Sequence, residues 1–314
     1  MTEPIHICVY LQSEIKPYTL RKEHLELLRA RFPRRRSLAV FSEEEFVSCL
    51  PAVEIVITWT FKAEWYGPAS RLKAVLTPAA GSEWVAEDPA GRIPVYHGAF
   101  HGRLIRESLL GAMLYFNRRM HEMAQVQRQR RWDHTPLEPT GLLKGQRVLF
   151  AGYGSIARHC AELLRSFGMH MSGLQRTHEN GYDPATGVRY ITAGHLNSEL
   201  SQSDHVVAIL PATPSTDNLF GWEQFRTMKS TAFFYNYGRG NCCDQTALTR
   251  ACEQGHIAGA ALDVFEREPL EADSPLWGLR NVVITPHASC VYRDYLPLYF
   301  DEVVGVLNKL FGPR

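Results

Sequence analysis

Arg239, Glu268 and His287 each fall a few residues behind a short apolar run. Arg239 lies within Asn236-Tyr-Gly-Arg-Gly240, Glu268 within Leu262-Asp-Val-Phe-Glu-Arg-Glu-Pro269, and His287 closes Ser274-Pro-Leu-Trp-Gly-Leu-Arg-Asn-Val-Val-Ile-Thr-Pro-His287. A guanidinium is a fixed fork for two oxygens, an imidazole exchanges a proton near neutral pH, and a carboxylate can hold an imidazole by one nitrogen. Brought together, the three would grip the oxygens of a small acid and give a proton to a developing alkoxide. Singly, each has an ordinary explanation: a surface charge, a loop glutamate before a proline, a satisfied buried histidine.

A second motif concerns phosphates. Gly152, Tyr153, Gly154, Ser155, Ile156 and Ala157 directly follow the run Arg147 to Ala151 and open a helix-length stretch to about Phe167. Gly152 permits a tight turn, Gly154 lets a pyrophosphate approach the backbone, and a helix start supplies free N–H groups with a positive dipole end. Ala157 stands at the third glycine position, which that fingerprint tolerates. In this βαβ context the segment reads as a dinucleotide site rather than only a structural turn. NAD sites place an Asp or Glu at the end of the second strand for the adenosine ribose. Here that strand ends in Gln175, Arg176 and Thr177. Arg176 and Thr177 suit an adenosine phosphate, and so NADP, with NAD the less favoured cofactor; the plain alternative for Arg176 is an exposed loop arginine.

The elements that must position these residues are legible as runs. From Arg147 to Thr285 six mostly apolar segments (147–151, 169–174, 205–210, 231–236, 258–263, 281–285) alternate with helix-length stretches. Strands covered on both faces read this way, so a parallel, doubly wound sheet is expected. Ahead of it lies a smaller α/β unit with strands at 5–10, 53–59 and 72–77 and an amphipathic helix from Thr19 to Ala30. A long helix, whole or broken once, is expected over 102–132, and residues 133–141 form a turn-rich connector. Trp59, Phe61 and Trp84 fall near strand ends, where they line a pocket or pack the core.

Composition excludes several classes. With 314 residues, 45% hydrophobic and 21% charged, the chain suits ordinary globular domains. Thirty-four basic against thirty-three acidic residues leave +1, which argues against a nucleic-acid or anionic-membrane partner. Seven cysteines, an odd number without a Cys-x-x-Cys pair, suit reduced thiols and no structural metal. The start has no signal-like segment and no run approaches the ~20 residues of a span, so a cytoplasmic protein is expected.

The motif segments, with Leu210-Pro-Ala-Thr-Pro-Ser-Thr216, resemble the D-isomer-specific 2-hydroxyacid dehydrogenase family, of the glyoxylate/hydroxypyruvate reductase kind, over about residues 100–290. The resemblance implies an α/β fold of two Rossmann-like domains with doubly wound parallel sheets and the active site in the cleft between them. It implies a discontinuous substrate domain, 1–100 plus 291–314, and a dinucleotide-binding domain, 101–290. Arg239, Glu268 and His287 are then the catalytic trio. Gly152, Tyr153, Gly154, Ser155, Ile156, Gln175, Arg176, Thr177, Leu210, Pro211, Thr213, Tyr237 and Gly238 face the cofactor, and Asp263 orients the nicotinamide carboxamide. The segment Ala80-Gly-Ser-Glu83 resembles the family's carboxylate-binding glycine loop, so Gly81 and Ser82, with Arg239, are the expected substrate contacts.

The function so implied is NADP-dependent reduction of small 2-oxo acids of the glyoxylate or hydroxypyruvate type to D-2-hydroxy acids. The alternatives are an NAD-linked dehydrogenase of bulkier acids and a non-catalytic, dinucleotide-sensing protein like the family's corepressors. Relatives imply a homodimer joined through the nucleotide domain. Two departures bear on pocket shape: Tyr237 is bulky beside the expected nicotinamide position, and Ser289-Cys-Val-Tyr292 is an unusual sequence after the histidine.

Overall fold

The computed structural model describes residues 5–176 and 181–312, so Thr177 lies outside the described residues. The chain divides into two compact units, one formed by residues up to 101 and from 290 onward, the other by residues 102–289.

In the first unit β1 (Ile5–Tyr10), α1 (Lys22–Arg31), β2 (Ser37–Ala39), α2 (Glu43–Cys49), β3 (Val53–Thr58), β4 (Ala74–Thr77) and β5 (Val95–His97) follow one another, and the helix Tyr295–Phe311 belongs with them. The strands form one parallel sheet in the order β2-β1-β3-β4-β5. Every position of β3 is buried, as a β-branched central strand covered on both faces requires. Glu54 interrupts that run at 8% exposure and is met by Lys73 Nζ at 3.1 Å. Ser42 starts α2 by accepting the Glu45 N–H at 3.1 Å, which satisfies one of the helix's open donors. β2 and β5, three residues each, are the edge strands that the hydrophobic pattern leaves unmarked.

The second unit opens with α3 (His101–Asn117) and α4 (Met120–Arg128). The break between them is at Arg119, whose φ of 48° is left-handed and cannot continue a helix. Then come β6 (Arg147–Ala151), α5 (Ser155–Arg165), β7 (His170–Leu174), β8 (Arg189–Ile191), α6 (Leu196–Leu200), β9 (His205–Ala208), α7 (Trp222–Thr227), β10 (Phe233–Asn236), α8 (Gln245–Glu253), β11 (Gly259–Leu262) and β12 (Val282–Ile284), and α9 is Tyr295–Phe311. The sheet is parallel in the order β12-β11-β10-β9-β6-β7-β8. Chain order reverses between β6 and β9, and there the carboxyl ends of the strands leave a crevice for a ligand. On one face Leu149, Val206, Phe234 and Ala260 share a core with Phe220, Phe225 and Leu248. Among the described residues no helix is long and apolar enough to cross a membrane.

Candidate functional site

At the exit of β6 the backbone turns at Gly152 with φ +88°, where a Cβ would lie 2.4 Å from the Ile209 carbonyl oxygen. Only glycine fits that turn. Gly154 precedes α5, and a Cβ there would meet nothing within 4 Å, so the space over the first turn of α5, begun by Ser155 and Ile156, is open to a ligand. This tight turn, an uncovered glycine and an eleven-residue helix aimed at the switch point fit a dinucleotide pyrophosphate.

Tyr153 takes a position that its place between two glycines did not foretell. Its ring is 4% exposed and packs on Gly173 of β7, where a Cβ would stand 2.6 Å from the ring. Its hydroxyl meets Asp183 Oδ2 at 2.9 Å and Thr186 Oγ1 at 2.6 Å. Burial pushes the Tyr153 phenol well above its ordinary range. Burial also works to raise the Asp183 carboxyl, but the Ala185 N–H, the Tyr153 hydroxyl and the Arg158 guanidinium together hold it below the usual range. Arg158 Nε lies 3.4 Å from Asp183. Gln175, expected at the cofactor, donates its amide N–H to the Tyr153 carbonyl at 2.8 Å. Its side chain braces the turn, and Arg176 beyond it is exposed.

The strands after the reversal carry the polar set. Leu210 and Pro211 follow β9; Thr216 donates to the Pro211 carbonyl at 2.6 Å, and Thr213 Oγ1 lies 3.0 Å from Thr216 Oγ1. Past β10, Gly238 stacks against this exit, since a Cβ would be 2.6 Å from the Leu210 nitrogen. Asn236, 1% exposed, accepts the Gly238 N–H at 3.2 Å and donates to the Arg239 carbonyl at 3.2 Å, clamping the turn from both sides. At Gly240 a Cβ would be 1.8 Å from the Phe265 carbonyl oxygen, so the backbone beside Arg239 has no freedom to shift. Tyr237 is 8% exposed, and its hydroxyl reaches the Ser108 carbonyl at 3.4 Å.

His287 Nδ1 lies 2.8 Å from Glu268 Oε2, and Glu268 Oε1 accepts the Phe265 N–H at 3.1 Å. His287 has φ +49°, a strained value for a non-glycine residue, and its support is Asp263. That carboxylate, 1% exposed at the end of β11, accepts from the Thr285 hydroxyl at 2.6 Å, from Ala288 N at 2.7 Å and from Ser289 N at 3.0 Å; its backbone carbonyl accepts from His287 N at 2.8 Å. Asp263, expected to orient a nicotinamide amide, also anchors the histidine loop. Asn236, Thr285 and Asp183 are the supporting residues that motif reasoning passed over. The available signal for Asn236 and Thr285 was a short polar side chain at a strand exit, two residues before a glycine in the first case and directly before a proline in the second.

In the first unit Gly81 and Ser82 lie in the loop after β4, where Gly81 precedes the single turn Ser82–Trp84 with ordinary extended φ and ψ of −81° and 147°. Gly81 is half-buried and Ser82 exposed. Phe61 is 1% exposed in the core, Trp84 is 48% exposed, and Trp59 stacks on Tyr295 with ring centroids 5.8 Å apart.

A doubly wound parallel sheet with a glycine turn at its switch point, and Arg239, Glu268 and His287 beyond the carboxyl ends of β10, β11 and β12, define a dinucleotide-dependent dehydrogenase unit. Residues 110–289 match the family model described as D-isomer specific 2-hydroxyacid dehydrogenase, NAD binding domain. The chain belongs to this family of dehydrogenases. It is 31% identical over 296 residues to a glyoxylate reductase of Korarchaeum cryptofilum, covering 91% of this chain and 87% of that one. It is 38% identical over 214 residues to glyoxylate/hydroxypyruvate reductase B of Escherichia coli, covering 66% of this chain and 64% of that one. Among solved structures, a D-isomer specific 2-hydroxyacid dehydrogenase family protein from Aeromonas salmonicida superposes with a TM-score of 0.80 at 29% identity, covering 99% and 97% of the two chains. A probable 2-hydroxyacid dehydrogenase from Rhizobium etli, in complex with NADP, HEPES and L(+)-tartaric acid, gives 0.79 at 25% identity over 100% and 96%.

Proposed function

We propose that the protein reduces small 2-oxo acids of the glyoxylate or hydroxypyruvate type to D-2-hydroxy acids with NADPH. The observation that carries this is the 2.8 Å pair between His287 Nδ1 and Glu268 Oε2 at the carboxyl edge of a dinucleotide-type sheet. Glu268 engages Nδ1, leaving Nε2 as the nitrogen that can pass a proton. A bound nicotinamide supplies the hydride. Arg239, on its clamped turn, holds the oxygens of the acid and stabilises charge as the carbonyl becomes an alkoxide. His287 protonates that alkoxide, and in oxidation it takes the proton back. Gly81 and Ser82 are the proposed contacts of the substrate carboxylate. Gly152, Gly154, Ser155 and Ile156 would hold the pyrophosphate, and Leu210, Pro211, Thr213, Tyr237 and Gly238 the nicotinamide half.

Preference for NADPH is supported by Arg176, exposed just past β7, and by the absence of an acid at Gln175. Glyoxylate reductases among the relatives support the substrate class. We further propose a cytoplasmic homodimer joined through the second unit, where Trp132 and Leu142 are exposed apolar side chains that a second copy would cover. Light scattering checks the dimer. The function is tested by following reduced-cofactor absorbance with a panel of 2-oxo acids, NADPH and NADH in separate arms. Glyoxylate or hydroxypyruvate turnover with a higher kcat/KM for NADPH is the expected result, and no turnover with any acid overturns it.

A further inference from the structure

Three neighbouring strands of the second unit begin with a cationic or imidazole side chain: Arg147 opens β6, His170 opens β7 and Arg189 opens β8. Parallel pairing sets Arg147 directly against His170. The three therefore share the amino edge of the sheet, opposite the edge that carries the glycine turn. Arg165, the last residue of α5, joins them, and the four line a cavity of about 260 Å³ together with Ser172, Thr186 and Glu199.

The charges there do not balance. Arg189 is paired with Glu199. Among the described residues the Arg147 guanidinium donates to the Gln202 amide oxygen, at 2.9 Å, and that of Arg165 to the Ala185 carbonyl, at 2.7 Å, both neutral acceptors. Three guanidinium groups against one carboxylate leave a charge of +2 with His170 neutral. Each guanidinium has five N–H donors, so Arg147 and Arg165 keep most of theirs for another partner, and planar forks suit tetrahedral oxyanions.

We propose that this cavity is a second anion site, which takes a phosphoryl dianion, free or as the monoester of a small organic molecule. A dianion matches the charge of the cavity, and its volume admits a phosphate with a small substituent. The site has a built connection to the cofactor end. Thr186 lines the cavity, and its hydroxyl is the one that meets Tyr153 in the glycine turn at 2.6 Å. An anion that orders residues 182–187 therefore acts on the segment that braces the dinucleotide turn, and any coupling is reciprocal. The proposal does not depend on which dinucleotide the protein uses.

Calorimetric titration with inorganic phosphate, at constant ionic strength with chloride as the balancing salt, is the test. Wild-type protein should show saturable binding, and Arg147→Gln/Arg165→Gln should weaken it about tenfold or more, as expected for losing two charge-assisted partners. Both residues are exposed, so the variant should fold, with an unchanged thermal midpoint and unchanged 2-oxo acid reduction. Arg176→Ala serves as the control and should bind phosphate as wild type does. Loss of binding in Arg176→Ala with retention in the double variant would assign the phosphate to the dinucleotide end and overturn the proposal. Absence of saturable binding in wild type overturns it as well. A parallel titration with glycerol 1-phosphate distinguishes a monoester ligand, which binds more tightly than phosphate, from free phosphate, which binds better than the ester.

Discussion

In the second unit His287 at the carboxyl edge of the seven-stranded sheet and His205 at its amino edge are opposites. At the carboxyl edge the His287 side chain is 50% exposed and bonded to a carboxylate. At the amino edge His205 is 1% exposed and bonded to neutral groups, with Nδ1 2.9 Å from the Tyr235 hydroxyl and Nε2 2.6 Å from Gln146 Oε1. Gln146 can only accept through that oxygen, so Nε2 carries the proton and Tyr235 donates to Nδ1. Burial pushes the His205 ring down to about 4, with Asp204 opposing only in part. One residue type thus serves opposite ends. The ring proposed to pass a proton is exposed beside a counter-charge, whereas the ring that ties strands together is dry and neutral.

The strongest way to break this contrast is at the exposed histidine. His287→Asn keeps polarity but cannot deliver a proton, so turnover should fall by ~10²–10⁴ while dinucleotide affinity, read by fluorescence titration, stays near wild type. Near-normal turnover removes His287 from the chemistry. Arg239→Ala comes next, with an expected loss of ~10²–10³ in kcat for 2-oxo acids and little change in dinucleotide binding. Rapid reduction by that variant would mean that another cation holds the substrate.

At the buried histidine the expected effect is on stability. Its folded value of about 4 lies below the ~6.5 of an unfolded chain, so between these pH values the unfolded state binds more protons. Stability is then full above about pH 6.5 and falls as pH drops toward 4, by ~3 kcal/mol from this one group. Urea midpoints measured across that window should fall less steeply in His205→Gln than in wild type. Parallel pH profiles would show that the ring is not held neutral.

The smallest effect returns to the carboxyl edge. Gln175→Asp/Arg176→Ala should weaken NADPH about tenfold more than NADH, the scale of one charge-assisted hydrogen bond at ~1.5–3 kcal/mol. Equal kcat/KM for the two cofactors in wild type would show that Arg176 is not the discriminating residue.

Much of this was legible from runs of residues. The six segments expected between 147 and 285 all contain strands of the second sheet, because a strand buried on both faces is apolar almost throughout. The helix expected over 102–132 is also present, broken at Arg119. What went unmarked were β2, β5 and β8, three-residue edge strands. Arg189-Tyr-Ile191 carries too few residues for a period of two to show, and only its partner β7 makes it a strand. The trio expected beyond β10 to β12 rested on residue type and spacing, and the structure pairs two of its members, His287 and Glu268, at 2.8 Å.

By itself the sequence determined the kind of chemistry and the kind of sheet, because residue type sets what a side chain can donate or accept and apolar periodicity sets which runs must be covered. Only the tertiary structure decided how those groups are held. Asp263 lies twenty-four residues before His287 and yet fixes its loop through Thr285, Ala288 and Ser289, a grouping set by the adjacency of β11 and β12. Tyr153 sits between two glycines of a phosphate turn and yet points inward, because Gly173 on the neighbouring strand leaves room for its ring and Asp183 and Thr186 take its hydroxyl. Such partners come together through strand pairing and packing, neither of which leaves a local pattern in the chain.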